Sequence, residues 1–299
     1  MIGGAVIGVL GPVIVADGKL ESYYVLIFGS MALTLVLSIS GALSVKERVE
    51  FGENNEEKYS LKEMLQFLRY KPIWAAFAAT LIVGTGSSIA GGAGAYFYTY
   101  VLGDMKLMSG VSIIGLIASL VGIVMGPYLA NRFGIAGVAL LNRFGKKKVF
   151  LTPVIISTAL NLLRLLDVTS MILIYISALI GGVAGGWMVP VSTSIQADNT
   201  TYVQYKTGKR AEAAIASLTS FVSKVAQGLG GAIPGYVIAA YGFVTGASVQ
   251  PESINTGIIL CALILPLIFG ILGSLIFGTQ YTLDQKAVIE MDAKINRNN

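Results

Sequence analysis

Histidine is absent from this 299-residue sequence, cysteine occurs once, and charged residues make up only 12% of it. Without histidine the chain lacks the usual proton shuttle and the commonest zinc ligand. The single cysteine, Cys261, excludes a disulfide within the chain. Soluble domains carry about 25% charged residues. Here 55% of residues are hydrophobic and the mean hydropathy is +0.74, so the chain reads as an all-α integral membrane protein. Carboxylates are missing where they would matter most: no Asp or Glu lies deep inside an apolar run. With no paired carboxylates at membrane depth and no metal-ligand cluster, an enzyme is the least favoured class and no cofactor is expected. Met1 opens on an apolar stretch without a basic n-region, so a cleaved signal peptide is not expected.

What is present is a series of eight apolar spans, at 1–16, 22–45, 72–102, 108–130, 149–166, 171–197, 213–242 and 256–280. A bilayer needs about 20 such residues per helix. The first span is short and opens on Met1 as if a helix had been cut. Of the 21 Lys and Arg, all but Lys19, Lys106, Arg164 and Lys224 fall in the 46–71, 131–148 and 198–212 segments or the C-terminal tail. By the positive-inside rule those segments and the C-terminus are cytoplasmic, which places the chain in the plasma membrane as a multi-pass protein. The formal net charge of +5 therefore reports orientation, and no nucleic-acid partner is implied.

One cation breaks the pattern. Lys224 stands near the middle of the stretch from Ala213 to Tyr241, which reads as long and apolar enough to cross a bilayer. It lies roughly 18 Å along a helix from Glu212, too deep for its stem to reach either surface easily. A charge there costs about 2.5–3.5 kcal/mol and ordinarily faces a polar cavity or a carboxylate. Ser220 and Gln227 share its face. No carboxylate of this chain is an obvious partner, so a partner is expected from elsewhere. The alternative is a snorkelling or purely structural lysine.

Other signals are weaker. The glycines at 84, 86, 91, 92 and 94 lack the Gly-Lys-Ser/Thr ending of a phosphate loop and suit close helix packing instead. Tyr96, Tyr98 and Tyr100 fit an outer interfacial belt. Gly181, Gly182, Gly185, Gly186 and Pro190 surround Trp187, which can stack on a sugar face or serve as packing. The tetrapeptide Asn-Arg-Phe-Gly occurs at 131–134 and 142–145, a local duplication that lengthens a cytoplasmic turn. Ser60 and Glu63 form a capping box that opens a short amphipathic helix, read as a spacer without chemistry.

The segment Asp198–Glu212, DNTTYVQYKTGKRAE, resembles the signature between helices ten and eleven of the glycoside–pentoside–hexuronide:cation symporters, the melibiose-permease-like branch of the major facilitator superfamily. Asp198, Tyr202, Tyr205, Lys206, Thr207, Gly208, Lys209, Arg210 and Glu212 carry the likeness, while Thr201 and Gln204 stand where the family has acidic residues. Asn142–Lys148 is similar to the basic turn after the family's helix eight, and Gln227–Gly235 to its helix eleven.

The resemblance implies a twelve-helix fold of two six-helix bundles, with this chain holding about eight helices, five through twelve. Residues 1–45 would be the remnant of the N-terminal bundle, 46–71 the cytoplasmic linker, 72–280 the C-terminal six-helix bundle and 281–299 a cytoplasmic tail. It also implies cation-coupled symport of a sugar or glycoside, driven by Na⁺ or H⁺, with the main carboxylate ligands in the missing N-terminal part. Lys224, Ser220, Gln227 and Trp187 would line the cavity, and Asp198 and Arg210 would make cytoplasmic gate contacts. Membrane lipid, the sugar and the cation are the expected partners, and the chain alone is expected not to transport. A lipid or amphiphile carrier of the same fold, or a non-transporting assembly subunit, are the alternatives.

Overall fold

In a computed structural model of the chain, each of the eight expected spans coincides with a helix. The structure describes residues 2–16, 19–44, 59–132, 136–247 and 249–298, and no strand occurs among the described residues. The helices are α1 (Ile2–Ile14), α2 (Leu20–Ser44), α3 (Leu61–Gln66), α4 (Lys71–Tyr96), α5 (Leu107–Arg132) and α6 (Ala136–Arg164). After them come α7 (Met171–Thr207), α8 (Glu212–Ala240), α9 (Ser253–Ile259), α10 (Leu265–Gln280) and α11 (Gln285–Asn298). The first half of the expected 46–71 linker, and the phenylalanine and glycine of the first Asn-Arg-Phe-Gly copy, lie outside the described residues.

Five segments among the described residues are long and apolar enough to cross a membrane: Leu20–Ser44, Lys71–Val101, Leu107–Met125, Met171–Thr207 and Ser253–Gln280. The protein is thus a multi-pass, all-α membrane protein. The three remaining spans fall short for separate reasons. α1 has 13 residues, roughly 20 Å at 1.5 Å per residue. The first half of α6 carries Arg143 and Lys146–Lys148. In α8, Lys224 and Gln227 stand among glycines and alanines, so the expectation that residues 213–241 are apolar enough on their own is corrected. α8 relies on neighbouring helices rather than on lipid.

Neighbouring helices pack in the order α8 on α4, α4 on α10, α10 on α6, α6 on α7, α7 on α5, and α5 on α1. The buried core falls into three clusters. One gathers Ala75, Ala79, Phe150, Ile195 and Phe277 around stacked Phe150, Phe277 and Tyr281 rings. Another, at the end holding the α7–α8 turn, contains Phe67, Phe77, Val203 and Ile215. A third, at the opposite end, contains Ile89, Phe97, Ile174 and Ile258.

Lipid gives apolar side chains no reason to prefer one another, so helices in a bilayer associate through close packing of small residues. α5 and α7 meet in this way, backbone against backbone. A Cβ at Gly186 would strike the Ser119 carbonyl, and one at Gly182 would lie 2.6 Å from the Gly115 carbonyl oxygen. Gly181 and Gly185 point away into open space. The glycine run of α7 therefore has one packed side and one free side.

Two boundaries differ from expectation. α7 runs on to Thr207, so Asp198 lies inside a helix and not in a loop. Nothing before Gly208 breaks it; Gly208, at φ +72°, supplies the left-handed turn that ends it, its N–H donating to the Gln204 carbonyl at 2.8 Å. The tail beyond residue 281 is also helical. α11 docks on α7, with Val288 and Met291 against the first core cluster.

A paired substitution tests the α5–α7 contact. Gly186→Ala is expected to destabilise the folded protein by about 1–3 kcal/mol through overpacking. Gly185→Ala, one residue away, is expected to be neutral or slightly stabilising, because alanine is the better helix former by about 1 kcal/mol. Thermal unfolding in detergent, followed by circular dichroism, separates the two.

Candidate functional site

α8 has two unlike faces. One, carrying Ala226, Gly230, Pro234 and Ile238, is buried against α4. There Ala226 meets Gly84, Pro234 meets Gly92, and Gly230 lies against Ser88 and the Thr85 carbonyl. The other face is exposed and almost free of bulk. Ser217, Ser220, Lys224, Gln227, Gly228, Gly231 and Gly235 lie along it, and a Cβ on any of the three glycines would meet nothing within 4 Å. Lys224 thus stands on an open, polar stripe. Its Nζ donates to Gln227 Oε1 at 3.5 Å, a long hydrogen bond, and no carboxylate among the described residues pairs with it. Large apolar residues begin only at the edge of the stripe, with exposed Phe221, Leu229 and Tyr236.

Ser220 and Gln227 therefore share the surface of Lys224, as the helical spacing requires. Trp187 is placed differently. It sits half-buried on α7 against the cluster of Ala75, Ala79 and Phe150, beside the close approach at Gly122.

Asp198 and Arg210 occupy unlike surroundings. Asp198 is 4% exposed, close enough to Tyr281 that its charge, after burial, helps to push that phenol above its ordinary range. Arg210 lies in the exposed turn between α7 and α8. Tyr59 fastens that turn: its hydroxyl lies 3.2 Å from Thr207 Oγ1 and donates to the Lys209 carbonyl at 3.3 Å. Its ring packs edge-on against Phe67 at 5.1 Å. Lys206 lies over the rings of Tyr202 and Tyr205, and Lys294 of α11 over Tyr205. The role of Tyr59 could not be read from spacing, since its partner lies nearly 150 residues away in sequence. Its one local signal was its place just before the Ser60 cap.

That cap forms as expected. The Ser60 N–H donates to Glu63 Oε2 at 2.7 Å, and the Glu63 N–H donates back to Ser60 Oγ at 3.3 Å. The segment is more than a spacer, because it holds Tyr59 over the turn.

Among the described residues, two half-open cavities share part of their lining. One of about 310 Å³ is lined by Ser87, Pro153, Thr158, Met188 and Gly270 among others. A second of about 210 Å³ lies toward the start of α7, lined by Tyr98, Asn161, Arg164 and Ser177. Ser157 and Asn161 line both. No group of three His, Cys, Asp or Glu residues stands together among the described residues. The arrangement offers hydrogen-bond donors, cations and open small-residue surface, which suit the binding of a polar solute.

Comparison with known proteins gives this geometry a family. Residues 1–285 match the family described as MFS/sugar transport protein. The chain is 30% identical over 250 residues to the uncharacterized symporter YnaJ of Bacillus subtilis, covering 81% of this chain and 50% of that protein. It is 29% identical over 253 residues to the uncharacterized symporter YjmB of the same organism, covering 83% and 52%. Against the glucuronide carrier protein homolog of Escherichia coli it is 28% identical over 268 residues, covering 87% and 56%. The chain spans about half the length of these relatives.

The Ser60–Glu63 box makes a pH prediction. Hydrogen bonds from the Ser60 backbone and hydroxyl hold the Glu63 carboxyl below its ordinary value. Its contribution to α3 is therefore complete above the ordinary carboxylate range and is lost as pH falls through the lowered value. Ser60→Ala is expected to move the Glu63 midpoint upward, as read by carboxyl-carbon NMR titration. An unmoved midpoint would remove the Ser60 hydroxyl as a cause and leave the backbone N–H, which alanine retains.

Proposed function

The chain belongs to the MFS/sugar transport protein family, and we propose that it forms part of a secondary active transporter that moves a sugar or glycoside together with Na⁺ or H⁺. In such carriers one bundle rocks against the other around a site near mid-membrane. Residues 72–280 would be the C-terminal bundle, 1–45 the last two helices of the N-terminal one, 46–71 the linker and 281–299 a cytoplasmic tail.

The observation that carries the reading is the open stripe on α8. A lysine at membrane depth needs a polar surface or a carboxylate against it. Lys224 has small residues and empty space before it, and no carboxylate among the described residues pairs with it. A facing set of helices bearing acidic cation ligands would complete the site, with solute held between the two surfaces. Lys224 would balance those carboxylates, and Ser220 and Gln227 would donate and accept hydrogen bonds to solute hydroxyls. Trp187 would line the cavity from α7. Asp198 and Arg210 would make and break contacts at the cytoplasmic end as the bundles rock. Cation and solute binding would then be coupled reciprocally, each tightening the other.

Uptake into proteoliposomes tests this, with a glucuronide as first solute and imposed Na⁺ or H⁺ gradients. The 299-residue chain alone is expected to give no uptake. Joined to the complementary half of one of the relatives, it is expected to give gradient-dependent uptake. In that joined form Lys224→Met is expected to lower the initial rate about tenfold or more, since breaking a desolvated charge pair costs about 2–5 kcal/mol. Uptake by the chain alone would overturn the division of labour proposed here. Movement of an amphiphile, or of nothing at all, by the joined form would favour a lipid carrier or an assembly subunit.

A further inference from the structure

Arg164, at the end of the 149–166 span, is the last residue of α6, and its side chain turns back into the protein. The guanidinium sits 5.2 Å from the centre of the Phe97 ring. Its Nε is shut off from solvent and has no hydrogen-bond partner. Stacking on an aromatic face is worth about 0.5–2 kcal/mol, and it gives the shielded Nε no acceptor. The nearest acidic residue in sequence, Asp167, is engaged elsewhere. Its Oδ1 accepts from the N–H groups of Thr169 and Ser170 and from the Thr169 hydroxyl, fixing the entry to α7.

The space before Arg164 is lined by polar side chains alongside the apolar Val111, Leu160 and Ile174. Asn161 lies one turn back on α6 and Ser157 two turns back. Tyr98 comes from the turn after α4 and Ser177 from the start of α7, and together they line the cavity of about 210 Å³. Tyr98 reaches it because the helix widens at Phe97–Val101, where the Leu102 N–H donates to the Phe97 carbonyl five residues back. Tyr96 and Tyr100 instead pack on Phe243.

We propose that this cavity is a binding site for a single oxyanion, a phosphate, carboxylate or sulfonate group, gripped by the Arg164 guanidinium. The planar fork of arginine matches such groups with two parallel charge-assisted hydrogen bonds. The hydroxyls of Tyr98, Ser157 and Ser177 and the amide of Asn161 can donate to the remaining oxygens. The volume suits a head group rather than an extended molecule. The site lies at the end of the bundle opposite the α7–α8 turn, apart from Lys224. The anion can come from a free solute or from a phospholipid head group at that membrane surface.

Thermal unfolding of the full chain distinguishes the sources. One arm titrates methyl phosphate into protein in neutral detergent, with ionic strength held constant by NaCl so that screening is matched. The other compares nanodiscs of phosphatidylglycerol with nanodiscs of phosphatidylcholine. A saturable rise in the unfolding midpoint is expected in at least one arm. Arg164→Gln should raise the apparent dissociation constant at least tenfold, while Lys106→Gln leaves it unchanged. A response to methyl phosphate identifies a free anion, and a response to phosphatidylglycerol alone identifies lipid. If Arg164→Gln does not fold, Asn161→Ala is expected to weaken the same response several-fold. No rise in either arm, or a rise that survives both substitutions at Arg164 and Asn161, would overturn the site.

Discussion

Backbone-to-backbone contact between helices is the constraint on which this structure rests. In lipid no hydrophobic force drives one helix onto another, so stability comes from dispersion at close range. Side chains must be small where helices cross. At α5–α7 the crossing places Gly182 and Gly186 on the carbonyls of Gly115 and Ser119, and at α4–α8 it places Gly230 on Thr85 and Ser88. Larger residues then fill the core on either side, such as Phe150 stacked on Phe277 at 3.9 Å. Helix order around the bundle follows from which faces carry the small residues.

The same composition gives α8 its second character. This helix packs through Ala226 and Gly230 on one side and shows Ser220, Lys224 and Gly231 on the other, with exposed Phe221, Leu229 and Tyr236 at the edge of that stripe. It is therefore held by α4, and its exposed stripe is free to be polar. A lysine can stand there because its surroundings are open rather than filled with hydrocarbon side chains. Packing and polar surface are thus not separate inventions in this helix; each follows from keeping side chains small.

Helix number and approximate position were legible in the sequence, because apolar runs of this length admit few other readings. The polar stripe of α8 was legible too, since residues 220, 224 and 227 share a face at 3.6 residues per turn. The limits of α7 were not. DNTTYVQYKT reads as a loop by polarity, yet the helix continues through it with Val203 buried in the core, and Gly208 ends it. The clamp of Tyr59 on Thr207 depends on a contact across most of the chain. The inward turn of the Arg164 side chain was hidden for a related reason. Charge counting assigns a cation at a helix end to the nearer surface, whereas the stem of an arginine can fold back over a ring such as Phe97.

α7 links the features that matter. It is 37 residues long, roughly 55 Å at 1.5 Å per residue, and is one uninterrupted helix from the Asp167 turn to Gly208. Ser177 lies at one end beside the Arg164 cavity, Trp187 and the α5 crossing lie in the middle, and Asp198 and the Tyr59-clamped turn lie at the other end. Pro190 removes one backbone donor within it, which loosens the helix near its centre without breaking it. Because Gly182 and Gly186 leave no slack against α5, movement of α7 relative to that helix requires the pair to shift together. Beyond Pro190, Ile195 and Val203 seat the second half of α7 in the core just as Gly182 and Gly186 seat the first half on α5.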